Sequence, residues 1–158
     1  MTTAFETETC PRCGGSGKYS YNQMHGDRCY GCGGSGKRHT KRGSVAREFF
    51  QKLLEKPVSE VKVGDQIRGA VCFLGPDRWC LITSIGPDMG AKYEGENFGD
   101  RIRVDFKRGT KESGLGGLRP TSIVQSVRDE AERQQHIAAA IAYQSTLTKT
   151  GKPRKQAA

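Results

Sequence analysis

The chain has no apolar run long enough to cross a bilayer, and its start, Met1-Thr-Thr-Ala-Phe-Glu, carries neither basic residues nor an apolar stretch. A secretory signal and a membrane partner are therefore not expected, and the expected compartment is the cytoplasm. Histidine is scarce: His25, His39 and His136 are scattered, and no Ser-His-Asp or paired-carboxylate arrangement can be placed beside them. No catalytic residue is assigned, and the chain is expected not to be an enzyme and to take no small-molecule substrate. Gly114-Leu-Gly116-Gly117 lacks the Lys-Ser/Thr and helix start of a phosphate loop. Apolar residues make up only 34% of the 158 positions, against 21 glycines, which argues against a single large core.

Acidic residues are missing from two stretches in particular. Between Arg12 and Arg47 stand eight Lys or Arg and only Asp27, and from Lys149 onward four basic residues face no acid. The formal net charge of +9 therefore belongs to the N-terminal part and the tail, an asymmetry suited to a polyanionic partner.

What is present is a phrase written twice. Cys10-Pro-Arg-Cys13-Gly-Gly-Ser-Gly17-Lys18 returns as Cys29-Tyr-Gly-Cys32-Gly-Gly-Ser-Gly36-Lys37. Two Cys-x-x-Cys pairs this close form the ligand set of a structural zinc site, since four thiolates close a tetrahedron around the ion. The metal ligands are thus Cys10, Cys13, Cys29 and Cys32, and the cofactor is one Zn2+. A chain that presents two sulfurs to one ion must turn sharply after the second, which favours glycine. Zinc binding, worth on the order of 10 kcal/mol, supplies the stability that so short a segment cannot obtain by burial. Three disulfides or a thioredoxin-like redox motif are the weaker readings of the six cysteines.

At Cys10, Cys13, Gly15, Gly17 and at Cys29, Cys32, Gly34, Gly36 the sequence resembles the cysteine-rich zinc domain of DnaJ-type chaperones, whose repeat is Cys-x-x-Cys-x-Gly-x-Gly. In that family two repeats hold each zinc, so the resemblance implies one ion and half of the family's module. It covers the first fifth to quarter of the chain. No His-Pro-Asp tripeptide and no J-domain accompany it, so stimulation of a chaperone ATPase is not implied. Similar repeats occur in small phage and bacterial regulators, including antitermination proteins, which points to a bacterial cytosol or a phage-infected host.

Along the chain, residues 1–9 read as a disordered lead, 10–43 as the DnaJ-like zinc module, and 44–57 as a linking helix. Residues 58–127 read as a small barrel, 128–147 as a C-terminal helix and 148–158 as a basic flexible tail. Ser44 is the expected N-cap of the linking helix, whose stripe of Val45, Phe49, Phe50, Leu53 and Leu54 is expected to pack on the barrel, and Pro57 is expected to end it. From Val61 the pattern alternates. About five short strands with tight turns predict an SH3-like five-stranded antiparallel β-barrel, so the fold class is small α+β. Cys72 and Cys80 read as buried small hydrophobes and Trp79 as a core anchor. Ile137, Ala138, Ile141 and Ala142 form the expected apolar face of the last helix.

Three functions compete. The first is a nucleic-acid-binding protein, RNA favoured over DNA, in which Arg12, Lys18, Arg28 and the strip Lys37, Arg38, Lys41 and Arg42 contact phosphates. Tyr19, Tyr21 and Tyr30 would either stack on bases or shield the zinc sulfurs. The alternative is a phage-encoded or regulatory adaptor that binds a host protein machine, RNA polymerase or the ribosome, through the barrel and its long loop 88–100 with Tyr93 and Phe98. The third, implied by the resemblance, is chaperone-like holding of unfolded chains.

Overall fold

The computed structural model describes residues 5–19, 27–68, 79–87, 101–108 and 110–154, with the side chains of 108 and 111 excepted. Tyr21, His25, Cys72, the loop 88–100 with Tyr93 and Phe98, and Lys155 at the end of the basic tail lie outside the described residues. The chain divides into two compact units, Met1–Phe50 with Ile137–Ala158, and Gln51–His136.

In the first unit, β1 (Thr7–Thr9) pairs antiparallel with β2 (Lys37–His39), Thr7 opposite His39 and Thr9 opposite Lys37. The expected lead is therefore ordered from Phe5: its ring meets Phe50 at 5.7 Å and the edge of His39 at 6.4 Å. Helix α1 (Lys41–Leu53) begins earlier than Ser44. Thr40 is the cap: its hydroxyl accepts the Gly43 N–H at 3.0 Å, and Ser44 N–H already donates to Thr40 carbonyl at 2.8 Å. Phe49, expected on the barrel, stacks instead on Tyr143 of helix α2 (Glu130–Thr146) at 4.4 Å.

The inward face of α2 also differs from the expected one. Ala140 and Leu147 are fully buried, whereas Ala138 and Ala142 are exposed and Ile141 is 42% exposed. Tyr143 and Gln144 turn the register: Gln144 Oε1 accepts the Glu6 N–H at 3.0 Å, so a polar residue holds a position that hydrophobicity alone assigned elsewhere. The expected tail is folded through Arg154. Leu147 bridges to Pro153, Thr148 N–H donates to Lys152 carbonyl at 2.8 Å, and Gly151 turns the chain at a φ of 79°. A β-carbon on Gly151 would stand 3.1 Å from Val45, so this turn lies against α1.

The second unit holds a six-stranded antiparallel sheet in the order β3-β8-β4-β5-β6-β7, from β3 (Glu55–Pro57), β4 (Gln66–Arg68), β5 (Trp79–Pro87), β6 (Ile102–Arg108), β7 (Lys111–Leu118) and β8 (Ile123–Val127). Five of these are the strands read from alternation. The sixth, β3, comes from the segment expected to continue the linking helix. Leu54 is fully buried where the helix stops, its carbonyl accepts the Ser126 N–H at 2.9 Å, and Lys56 pairs with Val124. Pro57, which has no N–H to give, is tolerated because β3 is an edge strand. Among the described residues β3 and β7 end the sheet and it does not close, so the closed five-stranded barrel is not what is observed.

Val58, Val61, Ile67, Cys80, Ile82, Val104, Phe106 and Val124 form the core of this unit. Alternation explains it: Val104 and Phe106 point inward from β6 while Arg103 and Lys107 stay exposed. Cys80 is 2% exposed, as a small hydrophobe would be. Trp79, expected in the core, is only half-buried and lies under the Arg133 guanidinium, 5.9 Å from its ring centre. Asp129 caps α2 by accepting the Glu132 N–H at 2.8 Å, and Glu132 returns a carboxylate to the Arg128 N–H and an ion pair to Lys56 at 3.1 Å. No helix among the described residues is long and apolar enough to cross a membrane.

Candidate metal centre

The two cysteine repeats fold into two knuckles with closely matching geometry. Gly14 and Gly33 each have a φ of 59°, Gly15 and Gly34 have 93° and 89°, and Gly17 and Gly36 have 73° and 72°. Ser16 and Ser35 each donate a hydroxyl to the carbonyl of the preceding cysteine, Cys13 at 2.8 Å and Cys32 at 2.7 Å, and each also reaches the lysine that leaves the knuckle. The knuckles then bind one another reciprocally. Cys10 N–H donates to Gly36 carbonyl and Cys29 N–H to Gly17 carbonyl, both at 2.9 Å. The result is a local two-fold relation in which the residue entering one knuckle pairs with the residue leaving the other: Thr9 with Lys37, and Arg28 with Lys18.

This symmetry brings four sulfurs together. The Sγ atoms of Cys10, Cys13, Cys29 and Cys32 all lie within 4.8 Å of one another. Cys10 Sγ to Cys29 Sγ is 3.9 Å and Cys13 Sγ to Cys32 Sγ is 3.7 Å. A tetrahedral thiolate site with metal–sulfur bonds of about 2.3 Å has edges of about 3.8 Å, so the donor set fits a metal ion. All four cysteines are free thiols, and those of Cys10 and Cys29 are buried. Gly36 N–H points at Cys32 Sγ at 3.3 Å, a donor that stabilises a thiolate.

Cys13 and Cys29 are shifted in opposite directions. Burial pushes Cys29 up to about 11, helped by its thiol neighbours. Burial also acts upward on Cys13, but the N–H groups of Gly17 and Gly15 outweigh it and bring that thiol down to about 6. A full set of thiolates packed this tightly requires a cation at its centre. No histidine is needed as a ligand; His39 stands edge-on to Phe5.

The cations assigned from sequence are not equivalent. Arg12 lies over the Tyr19 ring at 4.7 Å, with its stem against Gly31. Lys18, Arg28 and Lys37 are exposed around the knuckles, as is Lys41, and Tyr30 is 56% exposed. The strip from Lys37 to Arg42 is partly neutralised. Arg38 Nε donates to Glu8 at 2.7 Å, and Arg42 makes two bonds to the Glu6 carboxylate, both 2.8 Å. Thr40 donates to the same Glu6 carboxylate at 2.8 Å. Arg42, then Thr40, holds the Glu6 carboxyl below its ordinary value, and Glu6 raises Arg42 in return. Glu6 and Glu8 were hidden in the supposed lead; their two-residue alternation, matched to cations across a strand pair, was the available signal.

The chain was compared with known protein families, with curated proteins and with solved structures, and none of them matches it.

Proposed function

We propose that the chain is a non-enzymatic, zinc-dependent nucleic-acid-binding protein whose N-terminal knuckle pair holds one zinc and meets single-stranded or structured RNA in preference to duplex DNA. The observation that carries this reading is the cluster of four sulfurs within 4.8 Å, which braces the loops that bear Arg12, Lys18, Arg28 and Lys37. A rigid cationic surface binds phosphates with little ordering cost, and an exposed Tyr30 offers a ring for stacking. The preference for single strands rests on α1. Its first turn carries Arg42 locked to Glu6 and Gly43 pressed on the Glu6 carbonyl, so it is not presented as a helix for the major groove.

On this reading the knuckles are half of a DnaJ-type module that serves as a binding surface rather than a chaperone element. The residues from Gln51 to His136 would be a small, open SH3-like barrel. Supporting the barrel is the strand order, in which β4 sits between β8, the last strand, and β5, with β6 and β7 following.

The test is fluorescence anisotropy with a mixed-sequence RNA strand and the matching DNA duplex. About three phosphate contacts on a single strand predict roughly a 20-fold loss of affinity for a fourfold rise in salt. Chelation should abolish binding. Binding that ignores both salt and chelator, or no binding at all, refutes the reading.

A further inference from the structure

Resting on the nucleic-acid reading, and naming what that surface reads, we infer that Arg12 is a specificity-determining residue whose guanidinium takes the O6 and N7 edge of an unpaired guanine. The two nine-residue phrases differ at only two places, Pro11 against Tyr30 and Arg12 against Gly31. The ligands, the turns and the lysine that leaves each knuckle are common to both, so what distinguishes one knuckle from the other lies between its cysteines. All four of these residues are exposed.

Where the first knuckle carries arginine the second carries no side chain, and Arg12 lies against the space so left. A β-carbon on Gly31 would stand 3.4 Å from Arg12 Cδ and 3.5 Å from its Cβ, and 3.4 Å from Cys10 Sγ. The stem of Arg12 is thus seated on the second knuckle beside the sulfur cluster, and its guanidinium lies over the Tyr19 ring, 4.7 Å from the centre. Held at stem and head, the side chain has already given up much of the rotamer freedom that an arginine otherwise loses on binding. Among the described residues it makes no ion pair, in contrast to Arg38 and Arg42. A phosphate needs only a point charge, which the exposed Lys18 and Lys37 supply at the two knuckle exits. A planar fork of donors held in one direction suits a planar pair of acceptors, and among base edges guanine's O6 and N7 are that pair. Tyr30, the neighbour of Gly31 in the chain, adds an exposed ring on which a base can stack.

The experiment uses the metal-loaded full chain and fluorescence anisotropy with short RNA strands: uridine alone, or the same strand with central guanosines, adenosines or 7-deazaguanosines. The guanosine strand should bind about tenfold tighter than the uridine and adenosine strands, and 7-deazaguanosine, which lacks the N7 acceptor, should lose most of that preference. Arg12→Lys keeps the charge but not the fork. It should remove the guanosine preference while weakening the uridine strand only about twofold, and Tyr19→Leu should reduce the preference with Arg12 still in place. Metal affinity of Arg12→Lys, read by competition with a chromophoric chelator, should match the parent. Equal binding of all strands, or a guanosine preference that survives Arg12→Lys, overturns the inference while leaving RNA binding intact. A uniform loss for every strand that follows a loss of metal affinity also overturns it, and makes Arg12 a brace of the sulfur cluster. Absence of binding to any strand refutes the nucleic-acid reading itself.

Discussion

Gly17 and Gly34 touch backbone to backbone: a β-carbon on Gly17 would lie 2.3 Å from the Gly34 carbonyl oxygen, and the reciprocal position, Gly36, would place one 2.2 Å from the Gly15 oxygen. No side chain fits there. The repeat of glycines thus has two uses, positive φ at several positions and interlocking of the two knuckles at Gly17 and Gly36.

These uses separate by mutation. Gly14→Ala meets only the left-handed backbone, since nothing lies within 4 Å of the added carbon, and should cost about 1–2 kcal/mol. Gly17→Ala adds a backbone collision and should weaken metal binding by at least about tenfold more than Gly14→Ala does. Competition of the metal against a chromophoric chelator checks the difference; equal affinities would show that the interlock is dispensable.

Removal of the metal should act locally. Cys29→Ser, or a strong chelator, is expected to abolish amide protection from Cys10 to Tyr19 and from Asp27 to Lys37, because the knuckles bury too little apolar surface to fold without an ion. Protection at Ile82, Val104 and Phe106 should persist, since those residues belong to the core of the sheet. Hydrogen exchange read residue by residue distinguishes this from global unfolding.

Gly43 should reverse the usual helix rule. Alanine at an exposed helical site gains about 1 kcal/mol over glycine. Here the new methyl would stand 2.1 Å from the Glu6 carbonyl oxygen, so Gly43→Ala is expected to destabilise. Urea unfolding of the full chain gives the sign directly.

The chain should lose stability in acid. Arg42 and Thr40 hold Glu6 below its ordinary value of 4.5. Glu132 is raised by burial but lowered further by the Arg128 N–H and Lys56, and ends below 4.5 as well. Groups with depressed folded pKa values stabilise fully above the unfolded value and cease to do so as pH falls through the folded one. Unfolding midpoints should therefore be steady above about pH 5 and drop below pH 4.5, and Glu6→Gln should make that drop shallower.

In the sheet, Ile82→Ala removes a side chain that is 1% exposed and should cost about 2–5 kcal/mol. Ile123 on β8 is 60% exposed, and Ile123→Ala should change stability by less than about 0.5 kcal/mol. Comparable losses at both positions would mean that the β8 outer face is covered.

Sequence alone determined the features whose signal is local. The cysteine spacing picked out the four sulfurs that gather within 4.8 Å, and local pattern and turns placed five strands, because cysteine pairs and strand faces are written within a few consecutive residues. Tertiary structure decided whatever depends on a distant partner. Glu6 is an unremarked acid until β1 brings it to Arg42, Thr40 outranks Ser44 as a cap in the helix that follows, and Leu54 leaves that helix to pair with β8. The same holds for charge. Arg38 and Arg42 read as parts of one basic strip along the chain, but the fold answers them with Glu8 and Glu6, because Coulomb energies follow distance in space and not separation along the backbone.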